Sequence, residues 1–229
     1  MNLKISTLAG FAGALSLLAG AAHAATAFDA NLAAPGVYFG SGNSNGHFTI
    51  ETVDGVELGL RARQGPPHAL DAVSPVGNLY QVALGENISF DFSFNPGADG
   101  TPVSLDGLTT LITITNLAGG SASFPAHLIP DNAHDLGAPG GFQNSERLSF
   151  AIFNGGLFGD INYDNLVNST YRIDFTVSGT NFATISDTIL VNQGAGLAAV
   201  PEPTTWALTI AGFGLAGAAL RRRRALAAI

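Results

Sequence analysis

Residues 87–94 read Asn87-Ile88-Ser89-Phe90-Asp91-Phe92-Ser93-Phe94, with an apolar side chain at every second position from Ile88. A period of two sets Ile88, Phe90, Phe92 and Phe94 on one face of an extended strand, and Asp91 and Ser93 on the other. The period returns at Tyr171, Ile173, Phe175 and Val177. Leu108, Ile112 and Ile114 repeat it within a threonine-rich run suited to a pleated surface. Between residues 36 and 191 no stretch of twelve keeps the 3.6-residue period of a helix. The pattern predicts strands over 36–40, 46–52, 56–62, 78–84, 87–94, 108–116, 147–154, 170–178 and 182–191.

Short strands at this spacing predict an all-β domain, an antiparallel β-sandwich or jelly-roll-like fold, over residues 25–191. The run 117–146 holds Pro125, Pro130, Pro139 and much glycine, and reads as a long loop with an extra strand near Phe124. Residues 192–200 read as a linker. Around Asp54-Gly55 two hairpin registers compete. A two-residue turn sets Glu51 opposite Leu58 and Phe48 opposite Arg61. A three-residue loop over 53–55 pairs Ile50 with Leu58 and Phe48 with Leu60, and is the expected register because it buries one clean face. It also brings Glu51 and Glu57 together on the solvent face.

Composition agrees with many turns, since glycine and proline supply 40 of 229 residues. Hydrophobic residues at 46% and charged residues at 11% exclude a disordered chain of low hydrophobicity and high charge. The absence of cysteine excludes a disulfide framework, a thiolate metal site and a cysteine nucleophile. Between residues 25 and 200 stand four arginines, no lysine and sixteen acidic residues, a formal charge of −12. That field repels phosphate backbones, so no nucleic-acid partner is expected.

The two ends have the pattern of addresses. Lys4 precedes an uncharged apolar stretch over 5–18, and Ala22-His23-Ala24 puts small residues at the cleavage-defining positions. Residues 1–24 therefore read as a signal peptide, cleaved after Ala24 or, failing that, Ala27. Residues 201–229 open with Pro201-Glu202-Pro203, continue through Trp206 and Ala207, and pass an apolar stretch to Arg221, Arg222, Arg223 and Arg224. The stretch 204–220 would span about 25 Å as a helix, slightly under the ~30 Å hydrocarbon core. Arginine snorkelling and an interfacial Trp206 would cover the difference, which predicts a transmembrane helix. The arginines would hold that end in the cytoplasm and leave 25–200 outside.

This tail resembles the PEP-CTERM sorting signal of Gram-negative bacteria, in its PEPxxWA form. The resemblance implies that an exosortase is the partner, with Pro-Glu-Pro as its recognition element. It implies an exported protein that passes through the inner membrane to the cell surface or the extracellular exopolysaccharide matrix. A single-pass anchor that is never processed is the alternative. The stretches after Gly40 and before Val200 are similar to other uncharacterised β-rich PEP-CTERM proteins, a likeness that carries no activity.

Within the domain, Asp160, Asn162 and Asp164 have the alternating oxygens of a calcium loop. Asn165 at the sixth position and Tyr171 at the twelfth exclude an EF-hand, which leaves calcium in a β-loop or an ordinary solvated turn. Gly42-Asn43-Ser44-Asn45-Gly46 matches G-x-S-x-G, but a strand is expected after it where a hydrolase needs a helix. His127, Asp131, His134 and Asp135 cluster in sequence without a metal-site spacing, while His47 and His68 sit singly. The expected function is a non-catalytic structural or binding β-domain. The alternative is a secreted hydrolase acting on polysaccharide through two carboxylates.

Overall fold

The computed structural model describes residues 25–33, 44–65, 71–100, 103–129, 132–134 and 140–197. They build two sheets packed face to face. The first runs β1 (Ala25–Ala30), β2 (Phe48–Val53), β3 (Val56–Gln64), β6 (Ile88–Asn95), β10 (Phe142–Arg147), β9 (Ala133–His134), with β4 (Asp71–Ala72) also paired to β3. The second runs β11 (Asn154–Gly156), β12 (Gly159–Asp160), β8 (Ser121–Phe124), β7 (Thr109–Asn116), β13 (Ser169–Gly179), β14 (Phe182–Gln193), β5 (Leu79–Val82). Every pairing is antiparallel except β5 with β14. The fold is an all-β sandwich, as the alternation predicts.

The core lies where the apolar faces meet. Phe92 is fully buried at its centre, and its ring stands 5.9 Å from Phe175 and 6.2 Å from Phe124 in the opposite sheet, and 6.3 Å from Phe142 beside it. The edge-to-face angles of these pairs add to the stabilisation from buried area. Tyr171, Ile173, Phe175 and Val177 supply the facing surface, all at 0% exposure.

Three expectations are corrected. The β2–β3 hairpin takes the two-residue turn: Glu51 pairs with Leu58, Ile50 with Gly59 and Val53 with Val56. Asp54 (φ 50°) and Gly55 (φ 78°) both adopt the left-handed conformation that a type I′ turn requires. A Cβ on Gly55 would also lie 2.7 Å from the Asp99 carboxyl. In this register Phe48 and Ile50 face away from the core, yet both are buried, because Leu32 covers them. Glu57 shares that outward face while Glu51 points inward, so the two carboxylates are not neighbours on a solvent face.

The run 147–154 is not one strand. Ala151–Phe153 is a turn of 3-10 helix, and the strand lies earlier, in β10. The run 117–146 accordingly holds β8, as expected near Phe124, and also β9 and β10. Strand β1 was not expected, the predicted strand over 36–40 lies outside the described residues, and β14 continues to Gln193.

Candidate functional site

The acidic turn after β12 is built by its own backbone. Asn162 adopts φ 51° and its N–H donates to Asp160 Oδ1 at 2.9 Å, while Leu166 N–H donates to Asp164 Oδ1 at 2.8 Å. Asn162 Nδ2 reaches the Gly119 carbonyl at 3.4 Å. One oxygen of each carboxylate thus caps an amide two residues on, the Asx geometry of a turn. Asp160, Asn162 and Asp164 lie on one turn, and among the described residues no group of three His, Cys, Asp or Glu side chains converges as a metal site.

The histidines are placed differently from their sequence grouping. His127 packs against β7, with Nδ1 2.7 Å from Thr110 Oγ1 and its N–H donating to the same oxygen at 2.9 Å. The backbone of His134 pairs with Phe142; its side chain, and Asp131, Asp135 and His68, lie outside the described residues. His47, which looks solitary in sequence, gathers two partners. Its Nδ1 is 2.7 Å from Asp29 Oδ1 and 3.0 Å from Ser74 Oγ. Asp29 (φ 52°) and His47 (φ 62°) both hold left-handed conformations, uncommon for non-glycine residues. A hydrolase relay needs carboxylate and hydroxyl on opposite ring nitrogens. Here both address Nδ1, an arrangement that ties β1 to the segment after β4.

Ser44 of the G-x-S-x-G pattern offers its carbonyl to Arg61 Nη1 at 2.8 Å, and β2 follows at Phe48 in place of the helix a nucleophile elbow needs. Arg61 also donates to the Gly46 carbonyl at 2.8 Å and to Asp91 Oδ2 through Nε at 2.6 Å, and its guanidinium lies 4.4 Å from the centre of the Phe48 ring. The pair Arg61–Asp91 is buried on the outward face of the first sheet, beside Ser93, which accepts from Gln143 Nε2 at 2.9 Å.

A second polar group lies between the sheets. Tyr80 donates to the His47 carbonyl at 2.8 Å and stands 3.1 Å from Thr49 Oγ1; burial pushes its hydroxyl pKa up. Asp187, on the inward face of β14, is 3% exposed and its Oδ2 has no hydrogen-bond partner among the described residues. Burial, with Glu51 as a nearby like charge, raises its pKa well above the usual carboxylate range against the hydrogen bonds of Thr188 and Leu60. Neither cluster was visible in sequence. Asp91 lies 30 residues from Arg61, and Asp187 reads in sequence as one more polar residue of an alternating strand.

The sorting residues Pro201, Glu202, Pro203, Trp206, Ala207 and Arg221–Arg224, and the cleavage residues Ala22 and Ala24, lie outside the described residues. No helix among the described residues is long and apolar enough to cross a membrane. The PEP-CTERM protein-sorting motif family matches residues 199–224. The chain thus carries the PEP-CTERM sorting motif at this tail, which supports an exported protein processed by an exosortase. No curated protein matches the chain.

Proposed function

We propose that this protein is a non-catalytic component of the cell surface or of the exopolysaccharide matrix. Residues 1–24 direct export. The tail spans the inner membrane through 204–220 until the exosortase acts at Pro201-Glu202-Pro203. The β-sandwich is the part delivered. The sorting motif over 199–224 carries this reading.

The domain chemistry supports it. Arg61 and Asp91 neutralise each other in a buried pair, Asp160 and Asp164 cap their own turn, and Glu57 accepts the Ala33 amide at 3.1 Å. These charged groups maintain the fold.

The test is a turnover assay of the exported chain on the extracellular polysaccharide of the producing cells, beside fractionation of cells with and without exosortase. The expected outcome is no catalytic release of sugar, and a chain that leaves the membrane fraction only when the exosortase is present. Catalytic sugar release would overturn the non-catalytic reading in favour of a secreted hydrolase.

A further inference from the structure

Four turns meet at the end of the sandwich where β14 stops and the chain runs on toward the sorting motif. Gly85 N–H donates to the Asn165 carbonyl at 2.7 Å, and Asn165 Nδ2 returns a bond to the Gly85 carbonyl at 2.8 Å. Gln193 Nε2, closing β14, donates to the Glu86 carbonyl at 2.8 Å. Leu117 N–H donates to the Thr170 carbonyl at 2.9 Å, Leu197 N–H to Thr170 Oγ1 at 3.0 Å, and Ala195 N–H to Asn168 Oδ1 at 3.0 Å. These bonds brace the four turns against one another.

On this braced end stand Leu84 (50% exposed), Leu117 (50%), Leu166 (72%), Val167 (51%) and Leu197 (38%). They are five of the eleven exposed large apolar side chains among the described residues. The opposite end is unlike it. There the turns join through Ala98 N–H to the Gly55 carbonyl and Thr180 N–H to the Asp106 carbonyl, both at 2.9 Å. Those turns carry Asp54, Asp99, Asp106 and Asn181, and among the described residues Leu128 (64% exposed), on the 3-10 turn beside the start of β7, stands near that end in place of a cluster. Apolar side chains gathered on rigid turns at one end are a contact surface, since the core takes no part of them.

The exit point identifies the partner. Only residues 198–203 separate Leu197 from the apolar stretch that begins at 204, and six residues reach at most about 20 Å. An anchored tail therefore holds this end, and not the opposite one, against the bilayer. Asp164 is exposed on one of these turns and Glu86 is half-buried on another, and residues 25–200 contain no lysine. Anionic headgroups would be repelled. We infer that the end formed by turns 83–87, 117–120, 163–168 and 194–197 is the membrane-facing end of the domain. It docks its leucines into the interface of a zwitterionic bilayer while the tail is still attached. The inference rests on the sorting reading above. Insertion of such side chains reaches about 5–10 Å into the headgroup and acyl boundary.

The chain has no cysteine, so single labels are unique. Full-length protein would be reconstituted into phosphatidylcholine vesicles carrying a lipid-borne nitroxide quencher, with an environment-sensitive fluorophore on Leu166→Cys or, as control, Asn181→Cys. The expected result is co-flotation of both chains, loss of most of the emission at 166 and none at 181. Leu84→Ser with Leu117→Ser should restore emission at 166 without moving the unfolding midpoint. Phosphatidylglycerol in the vesicles should weaken the quenching; stronger quenching would contradict the neutral surface. A chain that floats with 166 as bright as 181 overturns the docking and leaves the sorting reading standing. An emission shift at 166 that follows protein concentration and ignores the quencher means a second copy covers this end, and also overturns it. A chain that does not float overturns the anchored tail itself.

Discussion

Each sheet of this sandwich carries an arginine–aspartate pair on its outward face, and the two pairs differ in almost everything but chemistry. Arg61 and Asp91 approach to 2.6 Å with side chains 1% and 0% exposed; Arg172 and Asp174 approach to 2.8 Å at 52% and 24%. The outward row of β6, from Ser89 through Asp91 and Ser93 to Asn95, is buried throughout. Over the second sheet the corresponding positions meet water, and hydroxyls pair across strands: Thr113 with Ser123 at 3.0 Å, Thr176 with Ser186 at 2.9 Å, and Thr188 donating to Asp174 at 2.7 Å. The alternation that defines a strand has the same polarity in both places. What differs is a covering segment. Leu32 seals Phe48 and Ile50, and the carbonyls of Ser44 and Gly46 take up Arg61. A charge that surface water would solvate is here solvated by backbone.

The largest effects should follow from breaking the buried side of this comparison. Arg61→Ala leaves Asp91 in a dry site with the more distant Arg63, 3.9 Å away, as its cation, and should cost about 3–5 kcal/mol of stability, read as the shift of a urea unfolding curve. A loss under about 1 kcal/mol would mean that water reaches the pair, as at a surface bridge. Phe92→Ala, on the other face of the same strand, should cost about 3–5 kcal/mol by opening a cavity against Phe124, Phe142 and Phe175. Together they ask whether β6 is held as firmly from outside as from within.

Asp187 sharpens the comparison between the sheets, because among the described residues no cation pairs with its buried carboxyl. A pKa raised in the folded state makes the folded chain bind the proton more tightly than the unfolded chain does. Stability is then greatest below the unfolded value of about 4, declines as pH rises toward the folded pKa, and levels off above it. Asp187→Asn keeps an acceptor for the Leu60 and Thr188 amides and removes the titration. It should stabilise the chain at pH 7 and change little at pH 4. Equal shifts at both would show that ionisation is not the cause. The smallest effect belongs to the exposed pair: Arg172→Ala should move the midpoint by about 0–1 kcal/mol, shrinking further at high salt.

The same contrast explains what could be read from the sequence. Ile88, Phe90, Phe92 and Phe94 announce β6 because one face of it meets the core, and the tail motif is legible because it is linear. The β2–β3 register is misjudged by the rule that apolar residues face the core. Phe48 and Ile50 are buried on the other side, under Leu32, and no local pattern records a cover contributed from sixteen or more residues away. Strand β10 escapes because Asn144 and Glu146 share a face with Phe142, so its six residues never alternate. Strand β1 escapes because its side chains are exposed on both faces. The Asp29–His47–Ser74 cluster depends on two left-handed residues and on the bulge between Ala27 and Ala30, which bring distant segments together.

Where this chain goes and how its ends are processed can be read by mass spectrometry of both termini. The protein would be recovered from outside the cytoplasm of producing cells, with and without exosortase. The account predicts a mature N-terminus at Ala25 in both, and loss of the segment beyond the Pro201-Glu202-Pro203 triplet only where the exosortase is present. A full-length chain with Met1 intact, recovered from the cytosol and unchanged by the exosortase, would contradict it.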